Sequence, residues 1–170
     1  PDTPPEGEPY LPFLERKFGS RARVDALFAQ IRAAGSNCGI DFAFEKIRLR
    51  ANTLRAHRLI HWAQQHGDAD ALVERLFAAQ FLHGEHVGDL AVLAAIAGEC
   101  GHAADEIRRS LASSADVDLA LAEAASLRAQ GVSMVPTFVI AGATGIVGAE
   151  EPTLLARAIL GCLRQHQALE

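Results

Sequence analysis

The sequence predicts an α/β protein that is mostly helical, and three observations carry that prediction. Alanine and leucine dominate an apolar fraction of 49%, with a single Trp and a single Tyr, a balance that favours helix over sheet. Apolar residues recur at helical spacing through most of residues 10 to 130. After Gly131 the texture changes: "GVSMVPTFVI" is a glycine stop, a lone proline and a run of strand formers.

The elements run in order along the chain. "YLPFLERKFG" reads as a short helix closed by Gly19. Ser20 is an N-cap for a second helix, with Val24, Leu27, Phe28 and Ile31 on one face and Gly35 as its left-handed stop. "SNCGIDFAFEKIRLRA" matches no period and reads as a connection. Asn52 opens the helix "TLRAHRLIHWAQQHG", in which Leu54, Arg58 and His61 share a side. "DADALVERLFAAQFLHG" carries the stripe Leu72, Leu76, Phe77 and Phe81. Asp89 caps "LAVLAAIAGECG", which is apolar nearly all round and is expected to be buried, and "HAADEIRRSLASS" is a further helix. Ser114 caps "ADVDLALAEAASLRAQ", which stops at Gly131.

Beyond Gly131, "TFVIAG" and "GIVG" flank the small-residue turn "ATG", so an antiparallel hairpin is expected near residues 137 to 148. Phe138 and Ile140 point to one face and Val139 to the other, which predicts burial on both. "EEPTLLARAILGCLRQH" is a final amphipathic helix with Pro152 in its first turn. The resulting divisions are 1–19, a Pro-rich linker and short helix; 20–130, a helical block; and 131–170, strand–strand–helix. A two-stranded hairpin is marginal alone and calls for further strands or a covering helix.

Several function classes are excluded on composition. The net charge is −5 and no Lys/Arg stripe stands out, so no nucleic-acid partner is expected. No apolar run approaches the roughly 20 residues a membrane span requires. "PDTPPEGEPYLPF" has neither a basic nor an apolar leader character, and the cytoplasm is the expected location. Cys38, Cys100 and Cys162 are far apart and form no C-x-x-C pair. Cys38, in "SNCG", is the most exposed candidate thiol, whereas Cys100 and Cys162 sit beside apolar residues and read as core. His57 and His61 stand four residues apart, but no H-E-x-x-H motif accompanies them and no metal is expected.

Three segments carry a resemblance to a known family. "GVSMVPTFVIAGATGIVGAEEPTLLARAIL" resembles the closing segment of the DsbA-like thioredoxin-fold proteins, in their FrnE-type branch. "PDTPPEGEPYLPFLERKFG" and "ANTLRAHRLIHWA" resemble the same branch, the latter at its N-T-x-x-A-H-R-L element. The resemblance implies a thioredoxin-like fold with a large helical insertion. It implies that Pro136 is the cis-proline of that fold and that Met134, Val135, Pro136 and Thr137 form a substrate-binding loop. There the Val135 backbone would pair with an extended peptide, as in strand addition. It also makes Asn52 and His57 cleft-facing candidates, although Asn52 reads first as an N-cap.

The family's redox chemistry belongs to a C-x-x-C motif in an N-terminal strand–helix–strand unit, where a helix N-terminus lowers the thiol pKa. Nothing before "PDTPPEGEP" supplies that unit. The expectation is therefore a thiol–disulfide oxidoreductase represented by a fragment, with no catalytic residue in these 170 and no cofactor. Its partners would be protein or small thiol and disulfide substrates, with homodimerisation a further expected association. Two alternatives remain open. One is a kappa-type glutathione transferase or 2-hydroxychromene-2-carboxylate isomerase, for which glutathione would be the cofactor. The other is a non-catalytic helical peptide-binding module.

Overall fold

The computed structural model describes residues 3–140 and 144–167. Contacts gather the chain into two compact units, Pro1–Leu121 and Ala122–Glu170.

The first unit opens with a two-residue strand, β1 (Glu8–Pro9), paired antiparallel with β2 (Leu49–Arg50), Glu8 opposite Arg50. The Glu8 carboxylate fastens this clip by accepting from Arg50 at 2.8 Å and from Arg16 at 2.7 Å. Between the strands lie α1 (Tyr10–Phe18), closed by a left-handed Gly19, and α2 (Arg21–Ser36). Ser20 Oγ accepts from the Arg23 N–H at 3.3 Å, which satisfies one of the orphan donors at the start of α2. Leu14, Val24, Phe28, Phe44 and Ile47 form an aromatic-rich core, with the Phe28 and Phe44 rings stacked 4.4 Å apart.

Gly35 does not end α2, as its residue type suggested. It lies inside the helix and is buried, because a Cβ there would stand 2.6 Å from the Phe42 ring. The left-handed residue is Gly39, at φ 76. The segment expected to be a plain connection holds a 3₁₀ turn (Phe44–Lys46) as well as β2, both too short to impose a period on the sequence.

A second core gathers α3 (Leu54–His66), α4 (Asp70–Ala78), α5 (Leu90–Glu99) and α6 (Ala104–Ala112) around the fully buried Leu59, Leu72, Leu93, Ile96 and Ile107. Asp89 Oδ1 accepts from the N–H groups of Ala91 and Val92 and so caps α5. That helix is buried on one side only, since Ala91 and Ala95 face solvent. After α4 the chain makes a π-helical turn, Ala79–His83, ended by Gly84 at φ 70. The extra residue of a π turn rotates the downstream side chains about the helix axis, so Phe81 joins the aromatic core while Phe77 is 58% exposed. The predicted Leu72–Phe81 stripe therefore divides between two cores and solvent.

Helix α7 (Val117–Ala129) has no fully buried residue. Ahead of it, the side chain that bonds to the backbone is Ser113, whose Oγ accepts from the Ala115 N–H at 3.2 Å; among the described residues no such bond involves Ser114, the expected cap.

In the second unit, β3 (Thr137–Ile140) pairs antiparallel with β4 (Thr144–Val147), and α8 (Pro152–Gln167) begins on its proline. The register sets Thr144 opposite Ile140 and Gly145 opposite Val139. These two residues of the expected "ATG" turn are thus strand, and the remaining connection, 141–143, lies outside the described residues. Both hairpin faces were expected to be buried, yet Val139 is 59% and Phe138 37% exposed. Among the described residues β3 has β4 as its one neighbouring strand, so its other edge is open. No helix of the described chain is long and apolar enough to cross a membrane.

Candidate functional site

Each unit holds one candidate site. In the second unit α7 ends at a left-handed Gly131 (φ 92), which turns the chain into 132–136 ahead of β3. This loop is held from within. Thr137 Oγ1 donates to the Met134 carbonyl at 2.5 Å, and the Gly148 N–H, just past β4, donates to the Pro136 carbonyl at 2.8 Å. The Val135–Pro136 peptide is cis. Met134 is 61% and Val135 90% exposed, and neither the N–H nor the C=O of Val135 has a backbone partner among the described residues. The loop therefore offers a free donor and acceptor next to the open edge of β3. Behind it, Leu127, Gln130, Val132, Thr137, Val139 and Val147 line a cleft of about 230 Å³.

In the first unit a larger cleft of about 330 Å³ lies at the start of α3, lined among others by Asn52, Arg55, Arg58 and Ser114. Asn52 is occupied on both sides. Its Oδ1 accepts from the Leu54 N–H at 3.1 Å, and its Nδ2 donates to the Thr3 carbonyl at 2.8 Å. It caps α3 from one residue farther out than an ordinary N-cap and ties down the N-terminal segment. His57 lies on the exposed side of α3 and does not line this cleft, whereas Asn52 does. The side chain that turns inward is Arg58, only 5% exposed. It donates to the carbonyls of Leu111 at 3.1 Å and Ser110 at 2.9 Å, satisfying orphan acceptors at the end of α6. Desolvation lowers its pKa, although a guanidinium remains charged even so.

The comparisons decide the family. The model of the DSBA-like thioredoxin domain matches residues 4–160. This chain belongs to that family. Among solved structures it is similar to a probable DsbA oxidoreductase from Streptomyces coelicolor, with 27% identity and a TM-score of 0.84 over 94% of this chain and 69% of the other. No curated protein matches it. The DsbA-like thioredoxin fold, with its helical block, accounts for the mostly helical content and the closing hairpin and helix.

Thiol chemistry at the family level has no matched pair of cysteines in these 170 residues. Cys38 is exposed after α2, and Cys100 is half-buried just beyond α5, against the main core rather than inside a helix. Cys162 is half-buried in α8. Among the described residues no cluster of His, Cys, Asp or Glu is arranged to hold a metal ion. Sequence reasoning passed over Arg55 and the inward turn of Arg58. The available signal was the position of Arg58 between Ala56, Leu59 and Ala63, all buried on α3.

Proposed function

We propose that this DsbA-like chain is the substrate-binding part of a thiol–disulfide oxidoreductase of the FrnE type. An extended peptide is added as a strand beside β3, with its backbone paired to Val135. The observation that carries this reading is the exposed, unpaired Val135 backbone adjoining an open strand edge. Met134, Pro136 and Thr137 shape the loop, and the hairpin's exposed apolar side chains receive alternate side chains of the peptide. Protein or small disulfide substrates in the cytoplasm suit such a surface, and a second copy of the chain could occupy it as a homodimer. With the three cysteines far apart in sequence, the chain by itself binds without exchanging disulfides. That feature also favours a second reading, a non-catalytic peptide-binding module.

Fluorescence anisotropy with a labelled, extended, cysteine-containing peptide tests the binding mode. The same peptide N-methylated at alternate residues should lose binding when the methyl groups face β3 and keep it when they face away. Equal binding by both methylated forms would sink the strand-addition reading. The two functional readings separate on whether the peptide, presented as a mixed disulfide, is reduced by any form of the protein.

A further inference from the structure

The cleft at the start of α3 carries positive charge that no carboxylate of the described chain pairs with. Arg55 and Arg58 are three residues apart on one face of α3, and both line the space of about 330 Å³. Among the described residues neither makes an ion pair with a carboxylate. Arg55 is half-buried and, among the described residues, has a single bond of 3.3 Å, to the Gly88 carbonyl. Arg58 spends its terminal nitrogens on the end of α6, while its Nε is buried with no hydrogen-bond partner. An N–H of a charged group left unpaired in the interior is unfavourable unless something accepts from it. The remaining lining includes the half-buried apolar side chains of Leu54 and Val117.

We propose that this cleft binds a small organic carboxylate, with its head on Arg55 beside the buried guanidinium of Arg58 and its apolar body against Leu54 and Val117. A planar guanidinium matches a carboxylate in geometry as well as charge. The first turn of α3 adds the positive end of a helix dipole. A single negative charge suits the site better than a phosphate dianion. Two of the five Arg58 N–H groups are already committed to the end of α6, and the exposed Asp116 adds a negative field near it. The volume falls in the range of small-molecule sites. Ser114 at the rim supplies a hydroxyl with no side-chain bond of its own among the described residues.

The test is a titration of the whole 170-residue protein with phenylacetate, monitored by NMR at backbone amides and arginine Nε–H groups, with phenylacetamide as the neutral control. Saturable shifts are expected at Arg55, Ser113, Ser114 and the Arg58 Nε–H with phenylacetate, and binding of phenylacetamide is expected to be at least about tenfold weaker. Arg55→Gln should weaken phenylacetate binding roughly tenfold while leaving the rest of the spectrum unchanged. Val117→Trp, which keeps both arginines but fills the cleft, should abolish binding. The proposal is overturned if phenylacetate gives no saturable shift up to its solubility limit. It is equally overturned if the amide binds as well as the acid, or if Arg55→Gln binds as the parent does.

Discussion

Replacing Arg58 by Met keeps the length and most of the apolar packing of the side chain and removes the guanidinium. Two carbonyls lose a donor, but not equally. The Ser110 carbonyl still accepts from the Ser113 hydroxyl at 2.7 Å and from the Ser113 N–H at 3.1 Å. The Leu111 carbonyl has no second partner among the described residues and belongs to a residue 4% exposed. The loss therefore concentrates on one buried acceptor and on the link between α3 and α6. An unsatisfied buried acceptor costs about 1–3 kcal/mol, and a charge-assisted bond is worth about 1.5–3 kcal/mol. Relief of guanidinium desolvation offsets part of this, leaving a net loss of about 2–4 kcal/mol. Urea unfolding monitored through the single tryptophan reports on the right unit. Trp62 lies on α3, stacked on His66 at 4.1 Å and edge-on to His102 at 5.2 Å. With a slope of about 2 kcal/mol/M, the midpoint should fall by about 1–2 M, and Arg58→Lys, which reaches one carbonyl, should fall in between. A fall below about 0.3 M for Arg58→Met would refute the capping argument.

Three other outcomes are expected. Gly84→Ala forces a side chain at φ 70 to within 2.5 Å of the Lys46 carbonyl, and should cost about 2–5 kcal/mol in the same urea assay. Arg75 bridges Glu85 and Glu99, and its bond to Glu99 holds that carboxyl below the usual carboxylate range. A depressed folded-state pKa stabilises above the unfolded value and is lost as pH falls through the folded one, so the stability gap between the parent and Arg75→Gln should be flat above about pH 5 and shrink below about pH 4, as unfolding at stepped pH will show. Insulin reduction and refolding of a scrambled disulfide substrate should register no activity for the 170-residue chain, and Cys38→Ser should leave that baseline unchanged; turnover dependent on Cys38 would show the thiol to be reactive.

The helices are legible in the sequence where a cap and a period agree. Ser20 and Asp89 each hold the N–H groups that their residue type suggests, and Gly19 closes α1 as expected. Gly35 misleads because a glycine inside a helix and one at its end look alike in sequence; only the approach of Phe42 distinguishes them. The pairing of β1 with β2 brings residue 8 to residue 50, and two-residue strands carry no alternation to detect. The π turn after α4 seats Phe81 against the aromatic core and leaves Phe77, stacked on it, facing solvent, and the apolar pattern alone does not show this. At the candidate sites, the proline-led strand shows itself through the change of period after Gly131. Arg58 does not, because a charged residue three positions from Arg55 reads as a solvated face unless α6 is known to end beside it.

Amide hydrogen exchange across residues 131 to 148, with and without a bound extended peptide, tests the central claim most directly. The Val135 N–H has no backbone partner among the described residues, and β3 has an open edge. Peptide binding by strand addition should protect the Val135 amide and the outward-facing amides of β3, while the β4 amides change little. Protection confined to other parts of the chain, with Val135 still exchanging freely in the saturated complex, would contradict the account.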